Sequence, residues 1–363
     1  MAVSRIDEAG LNINQYGNRN LIINGAMEVA QRGTSSTTGL YQTVDRWKLN
    51  YGGGGTLTQS QHTLSTSDTP YTYGFRKSFH ATVTSASNAT GTFSQMEQLI
   101  EGQNIARSGW EYTNSNSKLT LSFWAKSTLA GTYYTQFRTS DGTSYYYTKS
   151  FTLAADTWKQ ITCTVAGNSN LQIDNDNGTG FTVLVVPDYG TDYTGNAEAV
   201  TGAWYNRTQS SGYFPNFAQD WANTGSATFE ITGVQLEVGD TATDFEHRTL
   251  GDELLRCQRY CLVLDSGIAY GTYGFVGFAE NSTTAKCIVS FPVHMRSAPS
   301  LTRSGSFTYD GASGNPTISS TGGTQTPYCS RIEDTVSGAT QGEGLILINN
   351  NDSDAKLTFD AEL

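Results

Sequence analysis

The sequence predicts an all-β protein: a jelly-roll-like β-sandwich, then a short linker helix, then a second, smaller β-sandwich. Three observations predict it. Short runs rich in Thr, Tyr, Val and Phe recur along the 363 residues, as strands on half-buried sheets require. The 38 glycines against 7 prolines punctuate those runs with turns. One segment, 249–261, carries helical spacing instead.

The elements follow in order. Residues 1–20 are polar and lack periodicity apart from Ile6, Leu11 and Ile13, and read as an attachment or oligomerisation arm. Residues 21–248 form the first sandwich, with strand-like runs at 46–50, 73–79, 118–126, 133–138, 145–153, 160–165, 181–186 and 228–238. Residues 95–105 read as a short helix or a crossover. Around Asp141-Gly142 a hairpin with a three-residue loop would pair Phe137 with Tyr145. That register puts Tyr133, Phe137, Tyr145, Tyr147, Phe151 and Leu153 on one face and Tyr134, Gln136, Arg138, Tyr146 and Thr148 on the other. In 249–261, Asp252 and Glu253 suit a helix start, and Leu254, Cys257 and Cys261 share a face. Residues 262–363 return to strands at 262–264, 268–278, 285–292, 300–309, 317–319, 345–349 and 357–363.

Composition excludes several classes. Charged residues make up 15% and the net charge is −11, with no cluster of Lys and Arg, so no nucleic-acid partner is expected. The longest apolar stretches, such as 181–187, are too short for a membrane helix, and no membrane insertion is expected. The start, Met1-Ala2-Val3-Ser4-Arg5, has no basic n-region followed by a long apolar run, so no secretory signal is expected. Five cysteines at 163, 257, 261, 287 and 329 lack zinc-site spacing and read as free, small hydrophobes. Cytoplasmic synthesis is the compartment they fit.

Some longer runs carry a family look. The segment 20–34, from Asn20-Leu21-Ile22-Ile23-Asn24-Gly25 to Gly33-Thr34, with Val44-Asp45-Arg46-Trp47, resembles the start of many tailed-phage virion appendage proteins. So do 119–126, 229–239 with Phe245-Glu246-His247-Arg248, and Cys257-Gln258-Arg259-Tyr260. Phe291-Pro292-Val293, Met295-Arg296 and the ending Asp360-Ala361-Glu362-Leu363 are similar to the C-terminal part of those proteins. The first sandwich also resembles a carbohydrate-binding jelly roll, through Asn24-Gly25-Ala26-Met27-Glu28 at its opening and Ile231-Thr232-Gly233-Val234-Gln235-Leu236 at its close. Such modules commonly hold a structural calcium through an acidic residue in the closing strand. Here Thr232 and Gly233 stand in that place, so no cofactor is expected and Glu28 alone remains as a metal-ligand candidate.

The candidate binding residues are aromatic. Sugars present flat C–H faces on which Tyr and Trp rings stack, while neighbouring polar groups bind hydroxyls. Tyr134 and Tyr146 lie on the hairpin face away from the core. Trp204, Tyr213 and Trp221, with Tyr205 and Phe214, fall in Gly-rich polar segments. Trp47 and Trp124 read as core. Asp174-Asn175-Asp176-Asn177-Gly178 is half of a calcium loop and equally a plain turn. His62, His80, His247 and His294 are dispersed, and no nucleophile elbow appears, so no catalytic set is expected.

Together these features predict a non-enzymatic virion protein, a homotrimeric tail fibre or appendage. The arm would contact other virion proteins, and a bacterial surface glycan would be bound by many weak contacts. In the C-terminal sandwich Tyr270, Tyr273, Phe275, Phe278, Tyr309 and Tyr328 would face the host. The alternatives are a capsid or tail decoration protein without a receptor, and an envelope depolymerase.

Overall fold

The structure, a computed structural model, describes residues 18–363. The arm expected at 1–20 therefore lies outside the described residues except at its end. There the backbone N–H groups of Asn18 and Asn20 donate to the Glu246 carboxylate at 2.6 and 2.8 Å. The chain forms two compact units that divide between Leu250 and Gly251.

In the first unit the strands are β1 (Ser35–Ser36), β2 (Lys48–Gly52), β3 (Thr56–Thr63), β4 (Lys77–Ser85) and β5 (Phe93–Glu101). After the one-turn helix α1 (Gly102–Ala106) come β6 (Lys118–Ser127), β7 (Gly131–Thr139), β8 (Tyr145–Leu153), β9 (Lys159–Ala166), β10 (Thr179–Tyr189), β11 (Trp204–Asn206) and β12 (Thr228–Val238). They make two antiparallel six-stranded sheets, ordered β1-β3-β4-β12-β6-β9 and β11-β8-β7-β10-β5-β2. The core lies between them. One sheet supplies Phe79, Phe123, Phe229 and Ile231, the other Met96, Phe137, Phe181 and Val183. Residues 95–105, expected as a helix or crossover, are mostly strand, and helix forms only at α1. The polar look of β5 has a cause: Glu97 and Gln95 sit on its outer face, bonded to Asn50, Tyr189 and each other.

The opening motif shows why its residues are needed. Asn24 sits at φ +58°, and its amide bonds Val29 and Asp45 backbone oxygens at 2.8 and 2.9 Å. A Cβ on Gly25 would lie 2.1 Å from the Val234 carbonyl oxygen, so only glycine lets the two segments meet. Trp47, fully buried, donates its Nε1–H to the Asn24 carbonyl at 3.1 Å.

The β7–β8 hairpin keeps the expected faces but not the expected pairing. Phe137 pairs with Tyr147, not Tyr145, so the loop has five residues, 140–144. The wider loop has partners of its own. Tyr145 N–H donates to Thr139 Oγ1 at 3.0 Å, and Asp141 accepts from the Asp174 N–H at 2.8 Å. A slip of two residues leaves every side chain on its face.

The second unit opens with α2 (Leu250–Gln258), which begins in the first, and holds β13 (Cys261–Asp265), β14 (Thr272–Asn281), β15 (Thr284–Ser290), β16 (Ser300–Ser304) and β17 (Phe307–Gly311). It continues with β18 (Thr317–Gln325), β19 (Cys329–Ser337), β20 (Gly344–Asn349) and β21 (Lys356–Asp360). The smaller β unit is present as two sheets. Three strands pair as β13-β21-β16, and six close into a barrel, β14-β15-β19-β18-β17-β20. The closure and strand β19 were not foreseen. The run 300–309 breaks in two at Gly305, where φ is +83°. Tyr309, expected on a host-facing surface, is fully buried, and Tyr273 and Phe275 pack partly against the same core. Tyr270, Phe278 and Tyr328 are exposed.

Candidate functional site

The expected tyrosine site is largely filled by the protein itself. The chain between β10 and β12 folds back over the outer face of the second sheet. Its Phe214, Tyr213, Tyr193 and Phe217 pack on Tyr134, Leu184, Val186 and Tyr189 of β7 and β10. Tyr134 is thus buried, with its hydroxyl donating to the Asn216 carbonyl at 3.1 Å. Tyr146 and Tyr213 do meet, at 6.2 Å between centroids. Their faces are already occupied: the Arg207 guanidinium lies 3.7 Å above Tyr213, and those of Arg138 and Arg207 lie 5.6 and 5.5 Å from Tyr146. Trp204 points elsewhere, edge-on to Tyr147 at 5.5 Å, with Nε1–H donating to the Ala166 carbonyl. Trp221 is 0% exposed and bonds the Thr228 carbonyl. Tyr134 and Trp221 therefore have no ring face to offer a sugar, which corrects that expectation.

Glu28 fares similarly as a cation ligand. Burial pushes its carboxyl upward, while Lys77, Arg76 and His247 pull it down. The nearby Thr232 hydroxyl is spent on the Lys77 carbonyl at 2.7 Å, and Gly233 brings no side chain. Its basic neighbours Lys77, Arg76 and His247 oppose a cation there, whereas calcium takes six to eight oxygens. The Asp174–Asp176 segment is a turn: Gly178 N–H donates to Asp176 Oδ1 at 2.9 Å.

The site that remains open lies on the outer face of the first sheet. Strands alternate, so the neighbours Phe123 and Trp124 must face opposite ways. Phe123 enters the core, and Trp124, expected there too, turns outward into a satellite cluster with Phe75, Trp158 and Leu64. Pairing sets Trp124 between Gln160 of β9 and Thr232 of β12, and Ser122 opposite Thr162. At Gly233, φ is +62° where β12 bulges, and a Cβ would come within 2.6 Å of the Phe75 ring. Glycine there lets Phe75 seat. Tyr73, closing a 3-10 turn at Thr69–Tyr73, leans on Trp124 at 5.1 Å, and 58% of it is exposed. From the other side come Thr243, Asp244, Phe245 and His247. Phe245 stands edge-on to Phe75 at 4.9 Å, and His247 Nε2 lies 3.0 Å from the Tyr73 carbonyl oxygen.

The result is a cleft of about 670 Å³ with an aromatic wall and a polar floor of Ser122, Gln160 and Thr162. Its size lies within the ~300–1,000 Å³ usual for small-molecule sites. The exposed Tyr73 ring offers an apolar face, and hydroxyls, an amide and the Asp244 carboxylate stand beside it.

No protein-family profile and no curated protein matches the chain. Among solved structures it is similar to the enzymatically active domain of tailspike protein 4 of bacteriophage CBA120. The identity is 13% and the TM-score 0.33, over 61% of this chain and 22% of that one. It is similar to a family 16 carbohydrate-binding module at 13% identity and TM-score 0.27, over 60% and 99% of the two chains. A family 11 carbohydrate-binding module of a Clostridium thermocellum cellulase gives 13% and 0.28, over 59% and 98%. At this level the likeness assigns no function.

Proposed function

We propose that the chain is a non-enzymatic glycan-binding protein of a tailed-phage virion, a tail fibre or appendage that attaches to a bacterial surface glycan. The observation that carries the binding is the cleft at Tyr73 and Trp124, where an exposed ring stands over a polar floor. Among its described lining residues Asp244 is the one carboxylate, whereas glycoside hydrolysis uses a pair. That supports binding over cleavage. The place on the virion rests on the resemblance of 20–34, 119–126 and 229–239 to appendage proteins. A row of exposed apolar side chains on the barrel, Val276, Phe278, Ile288 and Ile346, supports self-association, and the homotrimer is the proposed state. Several copies would multiply weak contacts.

Affinity electrophoresis in gels containing host envelope polysaccharide tests the binding. The wild-type protein is retarded, and Tyr73→Ala and Trp124→Ala, checked for folding by circular dichroism, run freely. Equal retardation of all three would remove the cleft from the mechanism, and released oligosaccharides would make the protein a depolymerase. Gold-labelled antibody on intact virions marks the outer ends of tail appendages. Label spread over the capsid favours a decoration protein. Light scattering gives a trimer mass, and a stable monomer counts against self-association.

A further inference from the structure

Three donors from distant parts of the chain meet on the outer face of the first sheet. Glu230 of β12 pairs directly with His80 of β4, and His62 of β3 pairs with Ser78, two residues along β4. Alternation sends all three away from Phe79, Ala81, Phe229 and Ile231 in the core. One donor atom from each residue lies within 4.8 Å of the others. His62 Nδ1 is 3.0 Å from Glu230 Oε2, and His80 Nδ1 is 3.7 Å from Oε1.

His80 carries the decisive feature. Its Nε2 is 2.9 Å from Thr82 Oγ1, and its buried Nδ1 faces Glu230 Oε1 at 3.7 Å, within ion-pair range but beyond hydrogen-bond distance. That gap between nitrogen and carboxylate oxygen is too long for a good hydrogen bond, and a cation between them would engage both. The carboxylate is already oriented, as outer-shell partners orient metal ligands. Ser78 Oγ donates to Oε2 at 2.7 Å and Lys126 Nζ holds Oε1 at 3.0 Å, itself paired with Asp68 at 3.3 Å.

We propose that His62, His80 and Glu230 form a binding site for a divalent transition-metal ion of the zinc type. Two imidazoles and a carboxylate are a zinc ligand set, with bonds of ~2.0–2.2 Å, which places tetrahedral ligands ~3.4 Å apart. The two imidazoles lie 3.0 and 3.7 Å from different oxygens of the one carboxylate, and a set with one atom from each residue spans up to 4.8 Å, so binding would draw the ligands together by side-chain rotation. His62 is 46% exposed, so the ion enters from solvent on its side and keeps a fourth position for water. Bound there, it fastens β3 to β12 across β4. The set suits zinc rather than calcium or magnesium, which take oxygen ligands.

The test uses the full chain, stripped with a chelator, dialysed and titrated with zinc chloride in a calorimeter. One equivalent binds, the melting temperature rises, and cobalt(II) gives the visible bands of a four-coordinate site. Calcium and magnesium chloride produce neither effect. His62→Ala, at a half-exposed position, keeps the circular dichroism of the wild type. It weakens zinc binding by more than ~10-fold, the scale on which even outer-shell losses act. Glu230→Gln weakens it likewise, and His294→Ala, an exposed histidine of the second unit, leaves it unchanged. Absence of zinc binding to the wild-type chain overturns the proposal. So does undiminished binding by both His62→Ala and His62→Gln.

Discussion

Replacing Asp188 with Asn should stabilise the first unit at neutral and alkaline pH. Asp188, in β10, is 5% exposed in a second, polar cleft. Burial first, then the charge of Asp220, pushes its carboxyl up to about 7 from 3.8, although the N–H groups of Ala222 and Tyr189 donate to it. A rise from 3.8 to about 7 corresponds to at most about 4 kcal/mol, since a tenfold change in proton affinity is ~1.4 kcal/mol. The sign follows from the folded state holding the proton more tightly than the unfolded one. The contribution is full below about pH 4 and is lost as pH rises through about 7. Asn keeps an oxygen for the two backbone donors and cannot ionise. The stability difference between variant and wild type should therefore grow from near zero at pH 4 toward an upper bound of about 4 kcal/mol at pH 8. Taking the difference cancels the titrating groups that do not interact with Asp188, leaving Asp188 and its coupled neighbour Asp220. All six tryptophans lie in the first unit, so their fluorescence during urea unfolding reports that unit separately. A difference that stays flat between pH 4 and 8, or a variant less stable at pH 8, would refute the reasoning.

Further outcomes can be checked with the same preparations. In the second unit Asp334 is fully buried, paired with Arg303 at 2.9 Å and accepting from the Tyr309 hydroxyl at 2.7 Å. Arg303→Ala leaves that charge unpaired and should destabilise the barrel by about 3–5 kcal/mol. Tyr309→Phe should take about 1–3 kcal/mol, both read from the calorimetric transition that tryptophan fluorescence does not follow. Gly233→Ala forces a side chain onto φ +62° and into the Phe75 ring, so it should lose about 1 kcal/mol or more and weaken polysaccharide retardation. A chelator should leave retardation unchanged, because no cleft-lining residue belongs to the His62–His80–Glu230 cluster. Retardation abolished by the chelator would show the two sites to be one.

The sequence made the strands legible wherever one face is apolar, and it failed where a polar group is buried. Strand β19 is hidden in the sequence because its inward row reads Ser330, Ile332, Asp334, Val336, and the charge breaks the alternation. Only the fold supplies Arg303 and Tyr309 to pair it. The hairpin faces were readable because a period of two survives a slip of two residues. The register was not, because Asp141 is engaged by Asp174, 33 residues away. Trp124 was readable in principle, since Phe123 and Trp124 cannot both enter one core. The cluster of His62 and Glu230 was not, because 168 residues separate them and strand order alone brings them together.

The two sheets of the first unit are treated differently by their own chain, and that difference locates function. The second sheet buries its outer face under the return between β10 and β12, using up the tyrosines and arginines that would otherwise attract a ligand. The first sheet is covered over β6 and β12 only by the segments carrying Tyr73, Phe75 and Phe245, which leave a cleft between them. Its outer face carries two kinds of site side by side: Glu230 pairs with Lys126, and two residues further along the same strands Thr232 pairs with Trp124. At ~3.4 Å per residue these lie about 7 Å apart. A face that turns a buried carboxylate, two imidazoles and an indole away from the core within that length is one that core packing alone does not require.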